Sequence, residues 1–342
     1  MTSGREPLAL ALLRCGSVRF SAFYFTPGYA ALHATGHGGP TWLVAAALIA
    51  TVGCLAIEWL NRLTDEAEDR VNNPVRTRSC LRVGYEALRR WTAAAFAAFG
   101  ALALAIFSAS EQKVQLAVLL GLAFLVAYHY SAGIRLKRHR ALALVALGFP
   151  FLLPFVLGWG ANRPISEIPI AVLFFPLYLS SMSGAKDLTD ETGDRLVGYR
   201  SAFLALLRSP RRAALVCLLL LPHALLVTLV VAGSVEPRLL ALLVLAPLSV
   251  LYVRACRRAK DVAAKRAVRE LLYHLLLLPQ FAGLLLLFPS AHLAWVFGGV
   301  LAYWLFASRF LHWYPGLSRP WLHALRGAGE PVAHELPSGG GR

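Results

Sequence analysis

Apolar stretches of about 17 to 24 residues recur along almost the whole chain, and a segment of that length inside a bilayer satisfies its own backbone only as a helix. Of 342 residues, 58% are hydrophobic and only 15% charged, which excludes a soluble globular balance. The expected fold is therefore all-α: one polytopic bundle of nine or ten membrane helices with polar caps at one face. The runs fall at about 18–36, 41–60, 91–109, 114–131, 141–159, 168–185, 213–232, 238–253, 271–289 and 292–311. Gly148, Pro150, Pro154, Gly158 and Gly160 punctuate the fifth and predict kinks and close helix approach there.

The net charge of +16 could suggest nucleic acid, but its distribution argues otherwise. Lys and Arg number seven in 61–90, four in 133–140, six in 186–212 and seven in 254–269, whereas the intervening loops hold only Lys113, Arg163 and Arg238. That alternation follows the rule that short cytoplasmic loops are basic, and it orients the chain in a cell membrane, read here as a bacterial inner membrane. No nucleic acid and no protein partner is expected. The five cysteines are scattered without a CxxC pair, so neither zinc nor a disulfide framework is supported. Residues 1–17 read as a cytoplasmic or interfacial lead-in. The segment 18–312 reads as the membrane domain, and the Gly/Pro-rich tail 313–342 as disordered. The stretch 254–269 reads as a cytoplasmic loop with an amphipathic turn.

Two polar clusters each follow an apolar run. Asn61, Asp65 and Asp69 are spaced four apart, and Asp187, Asp190 and Asp194 fall at i, i+3 and i+7, so each set occupies one helical face. Eight of the 18 acidic residues lie in these two windows. Like charges at such spacing repel, more so where a membrane lowers the dielectric, and something must offset that. Facing clusters of hard oxygen ligands suit Mg²⁺ held together with a phosphorylated substrate. The alternative is that both are solvated acidic caps. Both clusters lie at the basic, cytoplasmic end.

Asn61-xxx-Asp65-xxx-Asp69, Tyr130-Ser131-Ala132-Gly133-Ile134-Arg135-Leu136-Lys137 and Lys186-Asp187-xx-Asp190-xx-Gly193-Asp194-Arg195-xx-Gly198 together resemble the UbiA family of intramembrane prenyltransferases. The second and third are closest to its homogentisate and chlorophyll-synthase branch, and the likeness spans about residues 10–310. The family usually has Asp directly after the first Asn, and this chain has Arg62. The resemblance implies Asn61, Asp65, Asp190 and Asp194 as Mg²⁺-directed ligands, with Asp69 and Asp187 as supporting or alternate ones. It implies Arg70, Arg76, Arg135, Lys137, Lys186 and Arg195 as diphosphate contacts.

The reaction so implied is Mg²⁺-dependent transfer of a prenyl group from a polyprenyl diphosphate to an aromatic acceptor, such as a hydroxybenzoate, quinone precursor or quinolone. A terpene cyclase, or a transferase to a non-aromatic acceptor, would use the same metal and diphosphate site. It would differ in what forms from prenyl diphosphate alone. A transporter, the third reading, would show flux independent of Mg²⁺.

Overall fold

The computed structural model describes residues 6–199, 201–210 and 212–312. The expected tail at 313–342 lies outside the described residues. Among those described there is no strand; the elements are helices and short 3₁₀ turns. In chain order the helices are α1 (Leu8–Cys15), α2 (Ser21–Ala34), α3 (Pro40–Thr64), α4 (Glu66–Asn72), α5 (Pro74–Val83), α6 (Tyr85–Ser108), α7 (Lys113–Ser131) and α8 (Arg140–Ala146). They continue as α9 (Phe149–Gly160), α10 (Phe174–Ser183), α11 (Glu191–Leu196), α12 (Ala202–Arg208), α13 (Arg212–Val231), α14 (Leu245–Arg258), α15 (Val262–Leu287) and α16 (Ala291–Phe310).

Among the described residues six helical stretches are long and apolar enough to cross a membrane, or seven if Leu8–Cys15 and Val18–Ala34, bent by 50°, count as one. Of the remaining apolar runs, 91–109 falls on the unbroken 24-residue α6, whereas 141–159 and 168–185 are interrupted. Gly148 separates α8 from α9, and a Cβ there would lie 2.8 Å from the Pro176 carbonyl oxygen. The run near 168–185 divides into a 3₁₀ turn at Ile170–Leu173, then α10, then a 3₁₀ turn at Gly184–Leu188. The basic stretch 254–269 is helix on both sides of a three-residue connection at 259–261. α14 runs on to Arg258, and α15 begins at Val262, its N-terminus capped by Asp261, whose carboxylate accepts from the Ala264 amide at 2.7 Å.

Close helix approach occurs where the sequence has no side chain. A Cβ on Gly158 of α9 would meet the Gly28 carbonyl oxygen of α2 at 2.4 Å, so these two helices touch backbone to backbone. The main core gathers Phe151 and Phe155 of α9, Phe175 and Tyr178 of α10, Phe203 and Trp304, all fully buried. A second, smaller cluster of Ala11, Cys15, Trp59, Cys80 and Leu88 lies under the cap formed by α4 and α5. The expectation of a structured cap between the second and third spans is met: α4 ends before Asn73 and Pro74 opens α5, where its missing N–H costs no helical bond.

One buried ion pair fastens the N-terminal region to the far end of the chain. Arg19 donates to Glu270 of α15 through both terminal nitrogens, at 2.6 and 2.8 Å, and its guanidinium lies 5.0 to 5.3 Å from the rings of Phe20, Tyr273 and Trp304. Nothing in the local sequence marks Arg19 and Glu270 as partners.

Candidate functional site

Each acidic cluster sits where a helix is interrupted, and the interruption has the same chemistry twice. Thr64 donates its hydroxyl to the Asn61 carbonyl and to the Asp65 carboxylate, both at 3.2 Å. Thr189 does the same to the Lys186 carbonyl at 3.2 Å and the Asp190 carboxylate at 2.9 Å. Such local side-chain bonds compete with the helical ladder, and α3 and the Gly184–Leu188 turn both end just before these Thr-Asp pairs or at them. The faces expected to be continuous helix are therefore helix, break, helix, and the carboxylates at each break turn inward.

The two breaks meet. The Asn73 amide donates to the Asp190 carboxylate at 3.3 Å, and the Gly193 amide donates to the Asn72 side chain at 2.7 Å. Gly193 is needed there, since a Cβ would lie 2.6 Å from both the Asn72 amide nitrogen and the Glu68 carbonyl oxygen. Residues 121 and 117 positions apart are thus brought into contact at one end of the bundle. Asn61, Asp65, Asp69, Asp187, Asp190 and Asp194 all line one cavity of about 440 Å³.

The charges around them are uneven. Asp69 is gripped on both oxygens, by Arg62 at 2.9 Å and by Arg76, and its side chain is 8% exposed. Arg62 also holds Glu58 at 2.8 Å. Asp65 pairs with Lys137, and Asn61 accepts a hydrogen bond from the Ser131 hydroxyl. Glu68 pairs with Arg138 at 3.0 Å. On the other side Arg269 of α15 donates to Thr189 at 2.7 Å and lies 3.6 Å from Asp190.

Titration follows this pattern. Burial opposes the Asp190 anion, but Arg269 and Arg76 beside it prevail and hold its carboxyl below the usual range. Burial pushes Asp187 up to about 6 despite Lys186. Asp194 is pushed up to about 8 by burial and then by the neighbouring charges of Asp190 and Asp187. Burial also lowers Arg76 to about 10, with Arg62 adding repulsion, and lowers Lys137 despite its pairing with Asp65. Undercompensated carboxylates thus stand beside crowded cations in one cavity.

Of the six basic residues singled out in the sequence, Arg76, Lys137 and Lys186 line the cavity. Lys186 donates to the Tyr130 hydroxyl at 3.2 Å. Arg70 and Arg195 instead pair with Glu66 and Glu191 one turn away on their own helices, their side chains 59% and 67% exposed. Arg135 takes a left-handed conformation, φ 55°, at the turn into Leu136–Arg138 and lies outside the cavity lining. Sequence reasoning missed Arg269, which carried no motif, and missed Arg62 as the clamp on Asp69. The i, i+4 spacing of Glu58 and Arg62 was the one visible signal for the latter.

A sequence model of the UbiA prenyltransferase family matches residues 21–276. Among solved structures, one of a digeranylgeranylglyceryl phosphate synthase superposes with a TM-score of 0.51 at 16% identity, covering 81% of this chain and 97% of that one. A UbiA homologue from Archaeoglobus fulgidus, solved with GPP and Mg²⁺, superposes with a TM-score of 0.54 at 17% identity, covering 80% and 99%. At these identities the likeness is one of fold. A search of curated proteins returned no match.

Proposed function

We propose that this chain, which belongs to the UbiA prenyltransferase family, transfers a prenyl group from a prenyl diphosphate to an aromatic acceptor inside the membrane, with Mg²⁺ as cofactor. The observation that carries the reading is the junction of the two acidic helix ends, knitted by Asn73 to Asp190 and Gly193 to Asn72, at one end of an otherwise apolar cavity.

The donor set is of the chemical kind a hard divalent ion takes, although among the described residues no three His, Cys, Asp or Glu side chains are grouped as a metal site on their own. Asn61, Asp65, Asp190 and Asp194 offer amide and carboxylate oxygens, and Asp194 is raised by burial and then by its acidic neighbours. Asp187 supports Asp194, while Asp69, occupied by two arginines, serves as the anchor that aims Arg76. When bound, Mg²⁺ supplies neutralisation of the diphosphate's negative charge. Arg76, Lys137, Lys186 and Arg269 contribute further positive charge to the same cavity wall, which favours departure of the diphosphate. The allylic C–O bond breaks with its electron pair leaving on the diphosphate, an electron-rich carbon of the acceptor attacks the resulting cation, and a proton lost from that carbon completes the exchange.

The apolar lining keeps water from the cation. Phe20, Tyr24 and Tyr273 line the cavity, and the Phe20 and Tyr273 rings meet edge to face at 4.8 Å beside Arg19, a wall suited to a planar aromatic acceptor. The basic-loop asymmetry supports a cytoplasmic orientation of the charged end in a cell membrane, and we read the bundle as nine or ten helical passes, short and broken ones included.

Incubation of the protein in lipid with prenyl diphosphates and a panel of aromatic acids, with and without Mg²⁺, tests this. Prenylated acceptor formed only with Mg²⁺ is the expected result. A cyclic hydrocarbon formed without acceptor would replace transfer by cyclisation, and absence of any Mg²⁺-dependent reaction would end the reading.

A further inference from the structure

We infer that the donor carries a tail of about four isoprene units, geranylgeranyl length, and that a sealed floor at the end of the cavity remote from the carboxylates sets this length. The inference rests on the diphosphate reading above and adds to it the size of the substrate.

The cavity changes character along its length. At the charged end α10 and α15 share its wall, but α10 contributes nothing beyond Leu179 and α15 nothing beyond Leu276. Farther in, the wall belongs to α2, α3, α6, α7 and α9, and it is apolar throughout, with Ala50, Phe99, Ala103, Leu120 and Leu153 among its residues. The bore is kept open by small side chains. Ala46, Ala50 and Gly53 follow one another at helical spacing on α3, and Ala123 and Ala127 do so on α7.

Two helices measure the depth. The lining residues of α3 run from Arg62 back to Ala46, and those of α7 from Tyr130 back to Leu116. At 1.5 Å rise per residue these runs span about 24 and 21 Å, the charged end included. An extended chain advances about 3.5 Å for every three bonds, so a four-bond isoprene unit covers about 4.7 Å and four units, about 19 Å, fill the duct up to its charged end.

The far end is closed by hydrogen bonds. Ser110, in the turn between α6 and α7, donates to the Ala161 carbonyl at the end of α9. Gln115 of α7 donates to the Gly160 and Arg163 carbonyls at 3.1 and 2.9 Å and accepts from the Ile165 amide at 3.0 Å. Leu116 and Ala161, the deepest lining residues, are each 1% exposed. A tail longer than the duct meets this laced floor, and a shorter one leaves apolar surface uncovered.

The test uses the full chain in lipid and measures binding and kcat/KM for geranyl, farnesyl, geranylgeranyl and hexaprenyl diphosphates with one fixed acceptor. Expected is a rise of about tenfold or more from geranyl to geranylgeranyl, from the added apolar burial, and a fall of similar size at hexaprenyl. Ala50→Phe, part way down the duct, should lower the ratio of geranylgeranyl to geranyl kcat/KM by about tenfold or more. Ala103→Leu on α6 carries the same test if the first variant does not fold. Leu116→Ala should shift the preference towards hexaprenyl. Equal use of geranyl and geranylgeranyl, or an unchanged ratio in both folded duct variants, would overturn the length assignment while leaving the diphosphate reading standing. Failure of every prenyl diphosphate to bind would remove both.

Discussion

The two acidic helix ends share a construction and differ in charge. Both are made by a Thr-Asp pair that bonds back to the carbonyl three residues earlier and forward to its own Asp. At the first, Asp69 and Asp65 are taken up by Arg62, Arg76 and Lys137. At the second, of the three aspartates only Asp190 has an ion pair among the described residues, and Asp187 and Asp194 have carboxyls raised to about 6 and about 8. The same residue types thus do different work. The first end is a braced frame that fixes the position of basic side chains, and the second leaves Asp187 and Asp194 without that bracing, the end where we propose that a cation adds the missing charge.

The largest test of that contrast applies one substitution to both ends. Asp194→Asn should lower kcat/KM by about 10²–10³-fold, the scale for removing one charged contributor to transition-state stabilisation. Its fold should be no less stable. Asp194, whose pKa in the folded chain lies above the free value, takes up a proton on folding and so lowers stability as pH rises towards 8, an effect Asn removes. Asp69→Asn should behave oppositely, since it removes the buried carboxylate that Arg62 and Arg76 share. We expect a stability loss of about 3–5 kcal/mol in thermal or denaturant unfolding in detergent. Equal stability in the two variants would erase the distinction between frame and cation seat.

Next in size is a pH effect. A divalent ion needs Asp187 and Asp194 ionised, so its binding expels protons below their pKa values, and its affinity should climb from pH 6 to pH 8 and then level off. Calorimetry in buffers of differing ionisation enthalpy should show about one proton released at neutral pH, and none in Asp194→Asn. A flat profile would mean that the second end is not the seat.

Arg62→Gln should have a smaller consequence, about 1–3 kcal/mol of stability, because Asp69 keeps Arg76 while Glu58 loses its partner. The smallest is reserved for Arg70→Ala and Arg195→Ala. Their exposed pairs with Glu66 and Glu191 lie outside the cavity lining, and kcat/KM should change by less than about twofold. A large loss in either would bring these side chains back into diphosphate binding.

How much of this was legible in the sequence differs by length scale. Spacing of three and four residues is a property of the local backbone, so the placement of Asn61, Asp65, Asp69, Asp187, Asp190 and Asp194 on inward faces could be read directly, and all six line the cavity. Which cation reaches which carboxylate could not, because long basic side chains choose partners by tertiary position. Arg70 and Arg195 turn to neighbours on their own helices, while Arg269, 79 residues beyond Asp190, arrives from α15. Hydropathy located the apolar runs, and the glycines and prolines of the fifth marked its break, where Gly148 makes close backbone contact with Pro176. The helical course of 254–269 was hidden by its charge, although Asp261 is a legible cap.

The most direct test is Mg²⁺-dependent binding of an unreactive geranylgeranyl diphosphate analogue to the wild-type chain, Asp65→Asn and Asp194→Asn. One substitution falls on each acidic end. The account expects binding by wild type only when Mg²⁺ is present and its loss in both variants, because a single ion-and-diphosphate seat spans the two ends. Binding that persists without Mg²⁺, or that survives either substitution undiminished, would contradict it.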